Sequence, residues 1–255
     1  MGCVIPTHLH ITIIKLTLNP HTMNLHQLWL ITRYSFTEIW RNKTFRVAFM
    51  VLIPLLIAYQ VSFQSDMFNI PVEYTLVLSS FIPTQNAYMF NLLLVFPLAT
   101  MGFWVHKQKK YNTLEALLVH PQGNDTYSTG FILGIIIAFM IMGSISLALA
   151  GLINLFASPT SFRPLIYLFY LVTLILPTIV FIVGITSFLA ARCFKNGTVT
   201  TFFMLVYLSV DILFLSTLYH GLFDPLGILL PYTFSDFTGI ADLPGFLLQR
   251  TTFLL

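Results

Sequence analysis

Long apolar runs constrain this chain more than any other feature of its sequence. Five such runs cover residues 47–63, 88–105, 131–156, 165–191 and 198–219. A helix needs about 20 apolar residues, with a lower limit of about 17, to cross a hydrocarbon core about 30 Å thick. The chain is 57% hydrophobic and 8% charged, whereas soluble domains carry about 25% charged residues. We therefore predict an all-α polytopic membrane protein with five complete transmembrane helices.

The two ends of the chain do not fit this pattern. Residues 1–22 have neither a basic start nor a small-residue cleavage site, so they are interpreted as a non-native or disordered leader, with Met23 as the natural start. Residues 245–255 begin a sixth apolar run, but eleven helical residues extend only about 16 Å. The sequence thus predicts one transmembrane domain over residues 23–255, with a truncated sixth span.

Residues 23–46 combine apolar and basic side chains before the first span. Leu25, Trp29, Phe36, Ile39 and Trp40 recur at roughly helical spacing, among several arginines. Aromatic and basic residues of this kind favour an amphipathic helix at the membrane interface. A plain juxtamembrane tail is the alternative.

Basic residues are distributed unequally between the two sides of the predicted topology. Ten of the chain's twelve lysine and arginine residues lie on one side: Lys15, Arg33, Arg41, Lys43, Arg46, Lys107, Lys109, Lys110, Arg192 and Lys195. The other side holds Arg163 and Arg250. The positive-inside rule therefore predicts a cytoplasmic N-terminus. Because these charges are dispersed among loops, they do not indicate nucleic-acid binding.

Two features inside the apolar runs are candidates for polar or packing roles. Asp211 is the one acid within a span, where an ionised carboxylate costs roughly 2.5 to 3.5 kcal/mol and needs a partner or water. Either it lines a translocation path or it forms a buried hydrogen bond, with Tyr207 as a local partner. Separately, Gly130, Gly134 and Ala138 form a small-residue stripe that allows close helix packing, within the chain or against a second copy.

Motifs for independent catalysis or metal binding are absent from the sequence. The chain has no phosphate-binding loop ending in Gly-Lys-Ser/Thr and no HExxH motif, so we expect no catalytic residue, cofactor or metal in this chain. Its two cysteines, Cys3 and Cys193, lack metal-ligand spacing. Three spaced acids, Asp224, Asp236 and Asp242, leave open an integral membrane enzyme with an external acidic site.

The polar segment 107–130 separates the second and third apolar runs. It is basic at its start and then presents a compact apolar patch of Leu114, Leu117, Leu118 and Val119 around Glu115. The three leucines share one helical face, and such a face suits a hydrophobic groove on another protein. A solvated loop is the alternative interpretation.

The sequence Thr113-Leu114-Glu115-Ala116-Leu117-Leu118, followed by Pro121, resembles the cytoplasmic coupling segment of type 2 ABC transporter membrane subunits. The order of interfacial helix, spans and loops from residue 23 to residue 255 is also similar to that family. The resemblance implies an exporter permease in the bacterial inner membrane. It would dimerise with a second permease and dock a separate subunit carrying ATP and Mg on segment 107–130.

A membrane scaffold or assembly subunit without transport of its own fits the same topology. An ATP-binding protein encoded next to this chain would favour the permease. Its absence would favour the scaffold or the enzyme.

Overall fold

A computed structural model of the chain describes residues 25–67, 79–99, 124–157, 162–192, 196–210, 224, 226–227 and 243–252. Within these ranges all regular structure is helical and no strand is found. The helices are α1 (Leu25–Arg41), α2 (Lys43–Met67), α3 (Phe81–Ala99), α4 (Asn124–Ala157), α5 (Pro164–Tyr170), a π-helical segment (Leu171–Ile175), α6 (Leu176–Arg192), α7 (Gly197–Val210) and α8 (Leu243–Thr252).

Three stretches of the described helices are long and apolar enough to cross a membrane. They are Lys43–Ser62, Thr126–Phe156 and Pro164–Ala190, and a shorter apolar stretch covers Gly197–Tyr207. The predicted all-α membrane class is therefore confirmed at this coarse level. The predicted number of spans remains a prediction, since parts of the second, fifth and sixth apolar runs lie outside the described residues.

Both α3 and α4 begin seven residues earlier than their apolar runs. α3 begins at Phe81 rather than at residue 88, and α4 begins at Asn124 rather than at residue 131. In α3 the added turns contain buried polar side chains. The Thr84 hydroxyl, for example, donates a hydrogen bond to Ser80 O at 2.6 Å. In α4 the added turns pack against α1. Residues 124–130 of the predicted docking segment are thus part of the long helix α4.

A break at Asn42 separates α1 from α2. The Asn42 side-chain oxygen accepts a hydrogen bond from the Thr44 N–H at 2.9 Å, a capping contact that satisfies one of the amides at a helix start. α1 buries Ile31, Thr32, Ser35 and Ile39. The predicted N-terminal helix is therefore packed onto the bundle along one face.

The helix from residue 164 to residue 192 contains one wide turn just before Pro177. The Leu176 N–H donates to Leu171 O, a spacing of five residues. Pro177 has no N–H and cannot make the normal bond to the fourth carbonyl before it. π-turns often occur at such positions and at functional sites, and this one lies beside the polar network described below.

α4 is the central helix of the described structure. It packs against α1, α2, α3, α5, the π-helical segment and α6. Its buried side chains join those of the neighbouring helices in one apolar core, which includes Phe90, Ile135, Phe139, Met142, Tyr170 and Ile179. α7 packs on α3 and α6, while α8 contacts the π-helical segment.

Candidate functional site

The small-residue stripe of α4 is the contact surface for α1. A Cβ atom added to Gly130 would lie 2.8 Å from Ile31 Cγ2. One added to Gly134 would lie 2.7 Å from Ser35 Cβ and 3.0 Å from both Phe36 N and Thr32 O. The two helices therefore approach so closely at Gly134 that a methyl group would meet backbone atoms.

The contacts between α1 and α4 also define their relative direction. Ile31 faces Gly130 and Ser35 faces Gly134, so both helices advance by four residues between contacts and run side by side in the same direction. Ala138, one further step along the stripe, is fully buried. Gly130 and Gly134 thus pack within the chain against α1. The sequence alone had left open whether the stripe packs within the chain or against a second copy.

A buried amide connects α3, the π-helical segment, α6 and the turn at residues 224–227. The Asn91 side-chain nitrogen donates to Leu226 O at 2.8 Å, to Thr178 Oγ1 at 3.2 Å and to Leu174 O at 3.4 Å. Asn91 is fully buried. One side chain therefore joins elements that lie far apart in the sequence.

The turn at residues 224–227 is closed on its other side by α8. Gly227 N–H donates to the Asp224 carboxylate at 2.8 Å, and Arg250 Nη1 of α8 donates to Asp224 O at 2.9 Å. Gly227 adopts a φ of 71°, which favours glycine, and a Cβ there would overlap the Arg250 guanidinium. Arg250 is 2% exposed and Asp224 is 4% exposed, so two charged side chains are buried together. We name Asn91, Thr178, Asp224, Gly227 and Arg250 the turn network.

Asn91 and Thr178, two members of the turn network, lie near the middle of their helices. Asn91 follows the start of the 19-residue helix α3 by ten residues. Thr178 lies at a similar middle position of the stretch Pro164–Ala190. Non-helical backbone is tolerated at such depth only where protein buries it or where it lines a cavity. The hydrogen bonds of Asn91 and Arg250 supply that protection here.

A second buried polar group lies between α2, α3 and α4. Ser146 donates to the Asn86 side-chain oxygen at 2.8 Å, and Asn86, Ser146 and Gln60 line one narrow gap that has no room for a water molecule. Near the end of α4, the Asn154 amide donates to the Tyr167 hydroxyl at 2.9 Å. These contacts give the bundle interior polar groups at several levels.

Most of the site residues predicted from sequence fall outside the described residues. These are the segment Thr113, Leu114, Glu115, Leu117, Leu118 and Pro121, and also Asp211. Its suggested partner Tyr207 is partly buried and packs against the core. Asp236 and Asp242 also lie outside the described residues, whereas Asp224 is buried in the turn network. Among the residues that the structure describes, no group of three or more His, Cys, Asp or Glu side chains lies together.

Sequence reasoning missed the polar residues that the structure brings together. Asn86, Asn91 and Asn154 each lie in or beside an apolar run, and an intramembrane amide needs a hydrogen-bond partner as a carboxylate does. That signal was present in the sequence. Arg250 was assigned to one side of the membrane from its position, and its burial depends on a turn 23 residues earlier that local sequence does not connect to it.

Comparison of the chain with models of known protein families, with curated proteins and with solved structures found no match.

Proposed function

We propose that this chain is the membrane-spanning permease subunit of an ABC-type transporter. It pairs with a second permease copy or a homologous permease, and it moves a substrate in the export direction. A separate subunit hydrolyses ATP and docks on the cytoplasmic segment 107–130. The Thr113–Pro121 sequence supports this docking role, and its apolar face suits a groove on the partner.

The close contact between α1 and α4 is the structural observation that carries the proposal. The predicted docking segment ends in the first turns of α4, where Gly130 and Gly134 contact α1. α4 in turn packs against α2, α3 and α6. Because packed elements transmit displacement as rigid bodies, a push on the docking segment would move α1 and α4 together and alter the remaining bundle.

A transport path also needs polar groups inside the bundle. The turn network and the Asn86–Ser146 pair lie in the bundle interior, where polar groups at membrane depth commonly mark a substrate or ion pathway. In the proposed mechanism these groups exchange protein partners for water or substrate when the helices separate.

Co-purification with an ATP-binding protein encoded beside this chain tests the proposal. We expect the two proteins to elute together from a detergent-solubilised preparation. Leu117→Asp should separate them, because it places a charge on the apolar docking face, whereas the matched control Leu117→Met should leave the complex intact. Absence of association with the unaltered chain, or equal association of both variants, would contradict the permease assignment.

A further inference from the structure

A cationic cleft lies where α1 meets α2. It has a volume of about 900 Å³ and is lined by Arg33 and Arg41 of α1 and by Lys43, the first residue of α2. Glu38 is the carboxylate in its lining. Tyr34, Thr37 and Thr44 add hydroxyl groups, of which that of Thr37 donates to Arg33 O at 2.8 Å, and Asn42 adds an amide whose oxygen accepts from the Thr44 N–H. Three cations against one carboxylate leave the lining with an excess of positive charge, which favours an anion over a cation.

The position of the cleft matches the boundary of the hydrocarbon core. Lys43 begins both α2 and its membrane-spanning stretch Lys43–Ser62. Trp40 of α1 lies beside Phe45 and Phe49 of α2, with ring centroids 5.8 Å apart in both pairs, and aromatic side chains of this kind prefer the level of lipid headgroups. The stretch Thr126–Phe156 of α4 is 31 residues long, about 46 Å of helix, so its first turns, which contact α1 at Gly130 and Gly134, extend beyond a hydrocarbon core about 30 Å thick.

An exposed apolar stripe leads away from the cleft along α2. Val47, Met50, Val51 and Leu55 are 54%, 72%, 61% and 48% exposed. Val47, Val51 and Leu55 follow Lys43 at intervals of four residues, and Met50 follows Val47 by three. All four therefore lie on the same helical face as Lys43. A cationic cleft at the start of this stripe therefore has hydrocarbon-compatible surface directly next to it.

We propose that this cleft binds the headgroup phosphate of an anionic phospholipid, with an acyl chain of the same lipid lying on the α2 stripe. Arg33 and Arg41 donate to the phosphate oxygens, since guanidinium groups bind phosphate through paired N–H donors. Lys43 supplies a point charge at the level of the headgroup. A soluble phosphate would use the cations but not the stripe, and for this reason the structure favours a lipid. This site does not depend on the proposed transport function.

Fluorescence quenching by brominated lipids tests this proposal on the full chain. The chain is placed in nanodiscs of phosphatidylcholine containing a small fraction of phosphatidylglycerol brominated on its acyl chains. A parallel sample contains the same fraction of brominated phosphatidylcholine. Replacing Trp104 by Phe leaves Trp29 and Trp40 of α1 as the reporters, since the chain has three tryptophans.

We expect brominated phosphatidylglycerol to quench the α1 tryptophans more strongly than brominated phosphatidylcholine. Arg33→Gln and Lys43→Gln should each weaken the apparent affinity for phosphatidylglycerol about fivefold, as expected for one cation near an anionic surface. The matched control Arg163→Gln removes an exposed basic residue at the start of another helix and should leave the preference unchanged. Arg33, Lys43 and Arg163 are exposed, so these three variants should fold.

Three results would overturn the proposal. Equal quenching by the two brominated lipids would show no headgroup preference. A preference that Arg33→Gln and Lys43→Gln leave intact would place the lipid elsewhere. Loss of the preference on adding inorganic phosphate at a concentration below that of the phosphatidylglycerol, at constant ionic strength, would show that the cleft prefers a free anion to a lipid headgroup.

Discussion

At the residue scale, buried amides determine how distant parts of this chain meet. Asn91 donates to one side-chain and two backbone acceptors on separate elements. Its position at membrane depth leaves no water to replace those bonds. The Leu226 carbonyl, at 2.8 Å, is the nearest of the three acceptors. Asn91 therefore helps to hold a non-helical turn inside the bundle.

Asn91→Leu should lower the free energy of unfolding by about 1 to 3 kcal/mol, the usual cost of leaving a buried acceptor without its donor. Asn91→Asp should cost more, because a carboxylate would face three oxygen acceptors. Ser144→Leu is the control, since Ser144 is exposed and its hydroxyl bonds to Met140 O of its own helix. Thermal unfolding in detergent measures all three. Equal stability of Asn91→Leu and the unaltered chain would show that the Asn91 bonds contribute nothing to the fold.

Residue chemistry also explains what the sequence could and could not predict. The apolar runs identified the helical membrane class because composition alone excludes a soluble fold. They missed the first turns of α3, since Thr84, Gln85 and Asn86 interrupt the apolar pattern, although Thr84 and Asn86 are buried and hydrogen-bonded in the bundle. The contact of Arg250 with Asp224 could not be predicted, because it depends on how α8 folds back onto the turn.

At the element scale, α1 and α4 approach until a Cβ added to Gly134 would lie 3.0 Å from backbone atoms of α1. The spacing of Gly130, Gly134 and Ala138 predicted a packing stripe, and local sequence could not specify its partner. The partner is α1, whose contacting residues include Ile31 and Ser35. α1 also ends next to Lys43, where the membrane-spanning stretch of α2 begins, so α1 connects its contact with α4 to the membrane boundary.

Gly134→Ala should separate α1 from α4 and lower the free energy of unfolding by about 1 to 3 kcal/mol, the range for overpacking. The reason is that the new methyl group would meet Phe36 N and Thr32 O, which cannot rotate away. Gly184→Ala in α6 is a matched control, because a Cβ there meets nothing within 4 Å. It should be neutral or stabilise the helix by up to about 1 kcal/mol.

Thermal unfolding of the two glycine variants under one condition provides the comparison. A destabilised Gly134→Ala beside an unaffected Gly184→Ala would support the close contact between α1 and α4. If both variants unfold at the same temperature as the unaltered chain, α1 does not pack on α4 as described.

At the scale of the whole molecule, α4 connects the predicted docking segment with the bundle interior. Its first turns continue the segment 107–123, and its stripe carries α1. Farther along, Ser146 contacts Asn86 of α3 and Asn154 contacts Tyr167 of α5. A displacement of α4 would therefore change the hydrogen bonds that it makes with polar groups on α3 and α5. This arrangement supports the proposed coupling of the bundle to an external ATPase.

The rate of ATP hydrolysis tests that account most directly. A candidate ATP-binding protein, taken from a reading frame beside that of this chain, is assayed alone and together with the chain in nanodiscs. We predict a several-fold change in its rate when the unaltered chain or Leu117→Met is present, and the rate of the isolated protein when Leu117→Asp is present. An identical rate with and without the unaltered chain would contradict the coupling of this protein to an ATPase.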